Sequence, residues 1–204
     1  MEQISREDSK VLNSFKVVTE WIEKELDETD SHNEPCRDGY SLPESLQSSI
    51  VVFSDGACRG NPGPGAWGTV AQVQDDKFLF QKSGVQFNTT NNQMELQGAI
   101  EGLSGVLDLI NNGEVTHNNE KVVLVSDSKY VLDGMSKWVS GWKKRGWKKA
   151  DGKVPENVEL WKELDQLNHD LGQVQTIWVK GHAGHPQNEL CDQLANYALD
   201  DAGF

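Results

Sequence analysis

From Ile50 onward the chain alternates short apolar runs with segments of helical periodicity. "SIVVFSDGAC" predicts a strand. "GAWGTVAQVQ" and "KFLFQKSGVQF" predict two more, split by the polar "DDK", so the three form an antiparallel meander. Apolar residues at 96, 99, 103, 107 and 110 give the helical step in "TNNQMELQGAIEGLSGVLDLI". "KVVLVSD" reads as a buried strand, and "SKYVLDGMSKWVSGWKKRG" as a helix reaching Gly146. "NVELWKELDQLNHD" is a helix, "VQTIWVK" a strand and "NELCDQLANYALD" a final helix. The order βββ-α-β-α-α-β-α predicts the α/β class: one mixed sheet with helices on its faces. Upstream, Val11, Phe15, Val18, Ile22 and Leu26 predict one amphipathic helix between about Ser9 and Glu28. "DETDSHNEPCRDGYSLPESLQSS" then reads as a linker. That helix either is an extra element, packed on the domain or loosely tethered to it, or docks a partner protein in a groove. The chain thus divides into an acidic extension, residues 1–46, and a globular domain, residues 47–204.

Charge sharpens this division. The 204 residues carry a net charge of -13, and residues 1–46 hold twelve acids against five bases. An acidic chain does not coat nucleic acid over its whole surface, but a local patch suffices for binding. One exists: between Lys137 and Lys153 stand seven bases, one acid and three of the seven tryptophans. The three cysteines lack C-x-x-C spacing, so neither a disulfide framework nor a zinc site is expected, and a reducing cytoplasm fits. No 18-residue apolar run predicts a membrane span, and "MEQISREDSKVLNS" does not read as a secretory signal.

The acids of interest fall at element ends. Asp55 closes "VVFSDG" and Asp127 closes "VVLVSD", and the carboxyl ends of strands border the ligand crevice of an open α/β sheet. Glu95 and Asp192 lie early in their helices, where a lone acid is commonly a surface residue that complements the helix dipole. Carboxylates without a cysteine or histidine cluster suit magnesium or manganese rather than zinc. Several such oxygens in one crevice repel unless cations sit between them, and a pair of divalent ions is the device of phosphoryl transfer. His182 and His185 lie in the Gly/Pro-rich loop "KGHAGHPQ". They read as exposed turn residues or, beside metal-bound carboxylates, as an aid to proton transfer.

Taken in order, "SDGACRGNPGPGAWG", "TTNNQMEL", "VSDSKYV", "WVSGWKKRGW", "ENVELW" and "VKGHAGHPQNELCDQLA" resemble ribonuclease H, type 1, in its bacterial form. The resemblance spans about residues 49 to 199. It implies the ribonuclease H-like fold, a five-stranded mixed sheet flanked by helices, with a basic protrusion. It implies an endonuclease that cuts the RNA strand of RNA–DNA hybrids and leaves 5′-phosphate and 3′-hydroxyl ends. Mg2+ would serve as cofactor, two ions per active site, with Mn2+ as a substitute. By motif, Asp55, Glu95, Asp127 and Asp192 match the metal-binding carboxylates, His182 the catalytic-loop histidine and Glu189 an acid near the second metal. Asn61, Asn91 and Asn92 match contacts to the hybrid's minor groove, where 2′-hydroxyls distinguish RNA. Thr90 and Asn157 match a pocket for a DNA-strand phosphate. Trp142, Lys143, Lys144, Arg145 and Trp147 match the protrusion that holds the DNA strand, with Trp138 a packing candidate. A monomer is expected.

The chain departs from the pattern at Gln93, where Arg is frequent, and at Lys129, where Gln is common; both are expected to bear on affinity. Residues 1–46 lack the positive charge of the hybrid-binding module that precedes some relatives. A DNA nuclease or strand transferase of the same superfold, or a non-catalytic hybrid-binding module, are the competing readings. The first would not be expected to keep all these motifs, and the second would be expected to lose a carboxylate.

Overall fold

The computed structural model describes residues 40–73, 77–115 and 121–204. The helix expected over Ser9 to Glu28, its partner-docking role and Cys36 lie outside the described residues. Five strands form one sheet: β1 (Ser49–Cys58), β2 (Gly63–Val73), β3 (Lys77–Thr89), β4 (Lys121–Ser126) and β5 (Gln175–Trp178). Their order is β3-β2-β1-β4-β5. The meander pairs are antiparallel, and β1–β4 and β4–β5 are parallel. The expected five-stranded mixed sheet is what forms.

Strand alternation explains why β1 and β4 are apolar throughout. Ile50, Val52, Val122 and Leu124 face one cluster, and Val51, Phe53, Val123 and Val125 face the other. Both faces are covered, so the period-two signal merges into a continuous run. Helix α1 (Asn91–Asn111) buries Leu96, Ala99, Ile100, Leu103 and Val106 in the first cluster, beside Trp161 and Leu164 of α4 (Val158–Asp170). Helix α5 (Pro186–Asp201) packs Cys191 and Leu194 into the second. Cys58 and Cys191 are free thiols.

The predicted single helix up to Gly146 is instead three pieces: α2 (Lys129–Asp133), a π-helical turn (Gly134–Trp138) and α3 (Val139–Lys144). A wider turn shifts the angular spacing of every later residue in the run, which four-residue spacing alone does not reveal. Residues 40–46, read as linker, pack on the domain. Leu42 is buried in the second cluster, and the Tyr40 carbonyl accepts from the Gln72 amide at 2.6 Å and the Gln187 amide at 2.8 Å. No helix among the described residues is long and apolar enough to cross a membrane.

Candidate active site

Three elements deliver three carboxylates to one point. Asp55 sits on β1, Glu95 on the second turn of α1, and Asp127 one residue beyond β4. Helix α1 starts where it does because Thr90 caps it. The Thr90 hydroxyl accepts from Gln93 N–H at 3.3 Å, while Gln93 Oε1 accepts from Thr90 N–H at 3.1 Å. This capping box satisfies donors that the helix start leaves free. Gln93 Oε1 also accepts from the Thr89 hydroxyl at 3.0 Å. The departure at Gln93 thus anchors the helix that carries Glu95, a role beyond affinity.

One ligand oxygen from each of Asp55, Glu95 and Asp127 lies within 4.8 Å of the others. Asp55 and Glu95 are buried and Asp127 half-buried. Burial raises the Asp55 carboxyl from its ordinary 3.8 to about 7, helped by the charges of Asp127 and Asp192 and opposed by the Gly56 N–H, which donates to Oδ1 at 2.7 Å. Burial, then Asp55 and Asp127, push Glu95 well above its ordinary value. Glu95 Oε1 accepts from the Asn91 side chain at 3.1 Å, but Oε2 is buried without a hydrogen-bond partner. The Ser128 hydroxyl lies near enough to oppose that rise without forming a hydrogen bond to Oε2. A buried carboxylate with one oxygen unpartnered, beside two more carboxylates, is the donor set of a hard divalent cation. The residues fit the ion expected from the sequence.

Asp192 lies outside this triad. Its Oδ1 accepts from the Asn196 side chain at 2.9 Å, and its charge reaches Asp55. His182 is exposed, with a left-handed φ of 50°, in the loop between β5 and α5. Glu189 holds that loop by accepting from Gly184 N–H at 2.8 Å. His185 occupies the N-cap of α5 with its ring 5.7 Å from that of Phe53, and burial lowers its pKa against the pull of Glu189.

The expected groove contacts join the triad through Asn91. Its N–H donates to Asn61 Oδ1 at 3.3 Å while its side chain bonds Glu95. Asn92 is exposed and Thr90 half-buried. Asn157 has a left-handed backbone, φ 55°, and its amide donates to the Tyr130 hydroxyl at 3.2 Å, as does Trp161 Nε1. Lys143 pairs with Asp165 at 2.7 Å, whereas Lys144 is exposed and Arg145 donates through Nε to Lys148 O at 3.1 Å. Trp147 is half-buried. Trp142 is only 9% exposed, its ring 5.9 Å from Trp138 and 5.7 Å from Trp161, so most of its surface packs the protrusion onto the body. Trp138, the packing candidate, keeps more exposure.

A family model described as RNase H matches residues 47–200. The chain belongs to the RNase H family. A ribonuclease H from Rhodopirellula baltica is 48% identical over 158 residues, 76% of this chain and 93% of that protein. One from Alcanivorax borkumensis is 46% identical over 156 residues, 75% of this chain and 93% of that protein. The solved N-terminal RNase H domain of a Mycobacterium tuberculosis protein is 28% identical with a TM-score of 0.58, covering 76% of this chain and 95% of that one. Sequence reasoning missed Gln93 as a cap, Tyr40 as a main-chain acceptor and Trp178, whose indole bonds the Asp127 carbonyl. Only Gln93 had a sequence signal, its position three residues after Thr90.

Proposed function

We propose that this protein is an endonuclease that hydrolyses the RNA strand of RNA–DNA hybrids, giving 5′-phosphate and 3′-hydroxyl ends. The observation that carries this reading is the convergence of Asp55, Glu95 and Asp127, with Glu95 Oε2 buried and unpartnered. These three, with Asp192 as a fourth, are the residues that would hold Mg2+, two ions during turnover, or Mn2+ in its place. When bound, the ions supply positive charge against the anionic phosphate and acidify the attacking water.

The chain's own groups do the rest. Asn91 orients Glu95 and, with Asn61 and Asn92, faces the minor groove, where 2′-hydroxyls mark the RNA strand. Thr90 and Asn157 grip a phosphate of the DNA strand. Lys143, Lys144, Arg145 and Trp147 hold that strand by charge and contact. Water attacks phosphorus, the bond to the 3′ oxygen breaks, and His182 delivers a proton toward that oxygen from its exposed loop. Glu189 keeps the loop in place through Gly184 N–H.

The test is cleavage of labelled RNA–DNA hybrid, double-stranded RNA and double-stranded DNA, with and without Mg2+. Metal-dependent cutting of RNA in the hybrid alone is expected. Cutting of duplex DNA would favour a DNA nuclease, and binding without cutting a hybrid-binding module. Asp55→Asn, prepared from a host lacking its own enzyme, is expected to lose at least ~100-fold in rate.

A further inference from the structure

Asp127 lies just past the end of β4, and the exit of β5 runs alongside it. Trp178 pairs with Ser126 in the parallel register, and Val179 N–H donates to Ser126 O at 3.1 Å. Two residues further, a β-carbon on Gly181 would fall 2.2 Å from Asp127 Oδ2, so that backbone closes directly over the carboxylate. Between these contacts, the indole Nε1 of Trp178 donates to the Asp127 carbonyl oxygen at 3.0 Å.

Trp178 is 49% exposed, so core burial does not hold its ring. Lys129 does: its ammonium lies 4.9 Å from the ring centroid. A cation over an indole face is attracted by the ring quadrupole. Lys129 opens α2 behind the Ser128 cap, whose hydroxyl accepts from Val131 N–H at 3.4 Å. The ring is thus fixed at its edge by Asp127 and on its face by Lys129.

We propose that Trp178 is a positioning residue for the metal centre: its indole N–H, with Lys129 steadying the ring, locks the main chain of Asp127 so that its carboxylate stays in register with Asp55 and Glu95. This rests on the reading of those three as cation ligands. Three carboxyls this close push one another apart as they ionise, unless a cation sits between them. A main chain held from outside the triad resists that spreading, and groups beyond the direct ligands tune metal affinity in this way. It also gives the departure at Lys129 a role at the metal centre.

Mn2+ binding to the full chain, measured by calorimetry and by the rise in Tm on adding Mn2+, tests this. Trp178→Phe keeps a ring for Lys129 and removes only the donor. It should weaken Mn2+ binding about fivefold, the size expected for one net hydrogen bond. The metal-free Tm should stay within about 2 °C, since water can reach the freed carbonyl. The Michaelis constant for hybrid at saturating metal should not change. Lys129→Met should weaken Mn2+ binding less, and adding it to Trp178→Phe should cost nothing further. Wild-type Mn2+ affinity in Trp178→Phe, with binding abolished in Asp55→Asn, overturns the positioning role and leaves the metal reading intact. A raised Michaelis constant or lowered metal-free Tm with unchanged Mn2+ affinity also overturns it, in favour of a substrate contact or a plain structural role. Wild-type Mn2+ binding in Asp55→Asn overturns the metal reading itself, and this inference with it.

Discussion

A β-carbon on Gly56 would lie 2.5 Å from the Glu95 backbone nitrogen. The absence of that carbon is what lets α1 descend onto β1 and bring Glu95 beside Asp55. Gly56→Ala must push helix and strand apart, at a cost of about 1–3 kcal/mol for overpacking. The separation falls on the carboxylate pair, so hybrid cleavage should drop ~10-fold or more, by more than the stability loss accounts for. Calorimetric Mn2+ affinity and metal-free Tm, measured together, check this; a stability loss with unchanged metal affinity would contradict it.

Asp55 binds its proton more tightly in the folded chain, with a pKa of about 7 against an ordinary 3.8. Its contribution to stability is therefore present in full below about pH 3.8 and is lost as pH rises through about 7. In the metal-free protein, Asp55→Asn should raise Tm at pH 8, and the gain should shrink toward zero near pH 4. Glu95, shifted the same way, adds to the wild-type loss at high pH. Mg2+ at pH 8 should restore the wild type and leave the variant nearly unmoved. Thermal melts across pH, with and without Mg2+, read both effects.

The basic residues of the protrusion are not equivalent. Lys143 is already paired with Asp165, while among the described residues Lys144 has no ion-pair partner. Lys144→Ala and Arg145→Ala should each reduce the slope of log affinity against log salt by about 1 and leave turnover largely intact. Lys143→Ala should change the slope less. Michaelis constants for hybrid cleavage over a salt series decide the ranking, and a dominant Lys143 effect would refute it.

Where the domain begins is testable by truncation. A chain starting at residue 40 keeps the Tyr40 carbonyl and Leu42, whereas one starting at 47 leaves the buried Gln72 amide without its acceptor and Gln187 with only Gln72 Oε1. An unsatisfied amide costs about 1–3 kcal/mol, and loss of Leu42 about 2 kcal/mol more. The longer chain should match full length in Tm, and the shorter should melt ~10 °C lower. Equal melting of the two would show that the clamp adds nothing.

The sheet and its helices were legible because their apolar periods are long and clean, as in α1 from Leu96 to Ile110. Asp127 was legible because an acid ending a buried strand has no packing reason to be there, and Asp55 because it closes an apolar run, although β1 continues past it to Cys58. What escaped the sequence were contacts to the main chain. Any residue has a carbonyl, so nothing marks Tyr40 as an acceptor for two amides or Asp127 as one for Trp178. The burial of Trp142 escaped because tryptophan beside lysine and arginine reads as a binding patch. The π-helical turn at Gly134–Trp138 resets the faces of the residues after it, and Trp142 turns inward against Trp161. Asp192 was placed by its motif; it lies outside the triad and accepts from the Asn196 side chain.

The rings of Trp138, Trp142 and Trp161 stand 5.7 to 6.4 Å apart, with Tyr130 within 5.9 Å of Trp138. Indoles that close share their electronic excitations, and the shared state depends on their mutual tilt. The root of the protrusion thus carries a built-in chromophore assembly. Its near-ultraviolet circular dichroism would track rearrangement of the protrusion as hybrid is engaged, with no label attached.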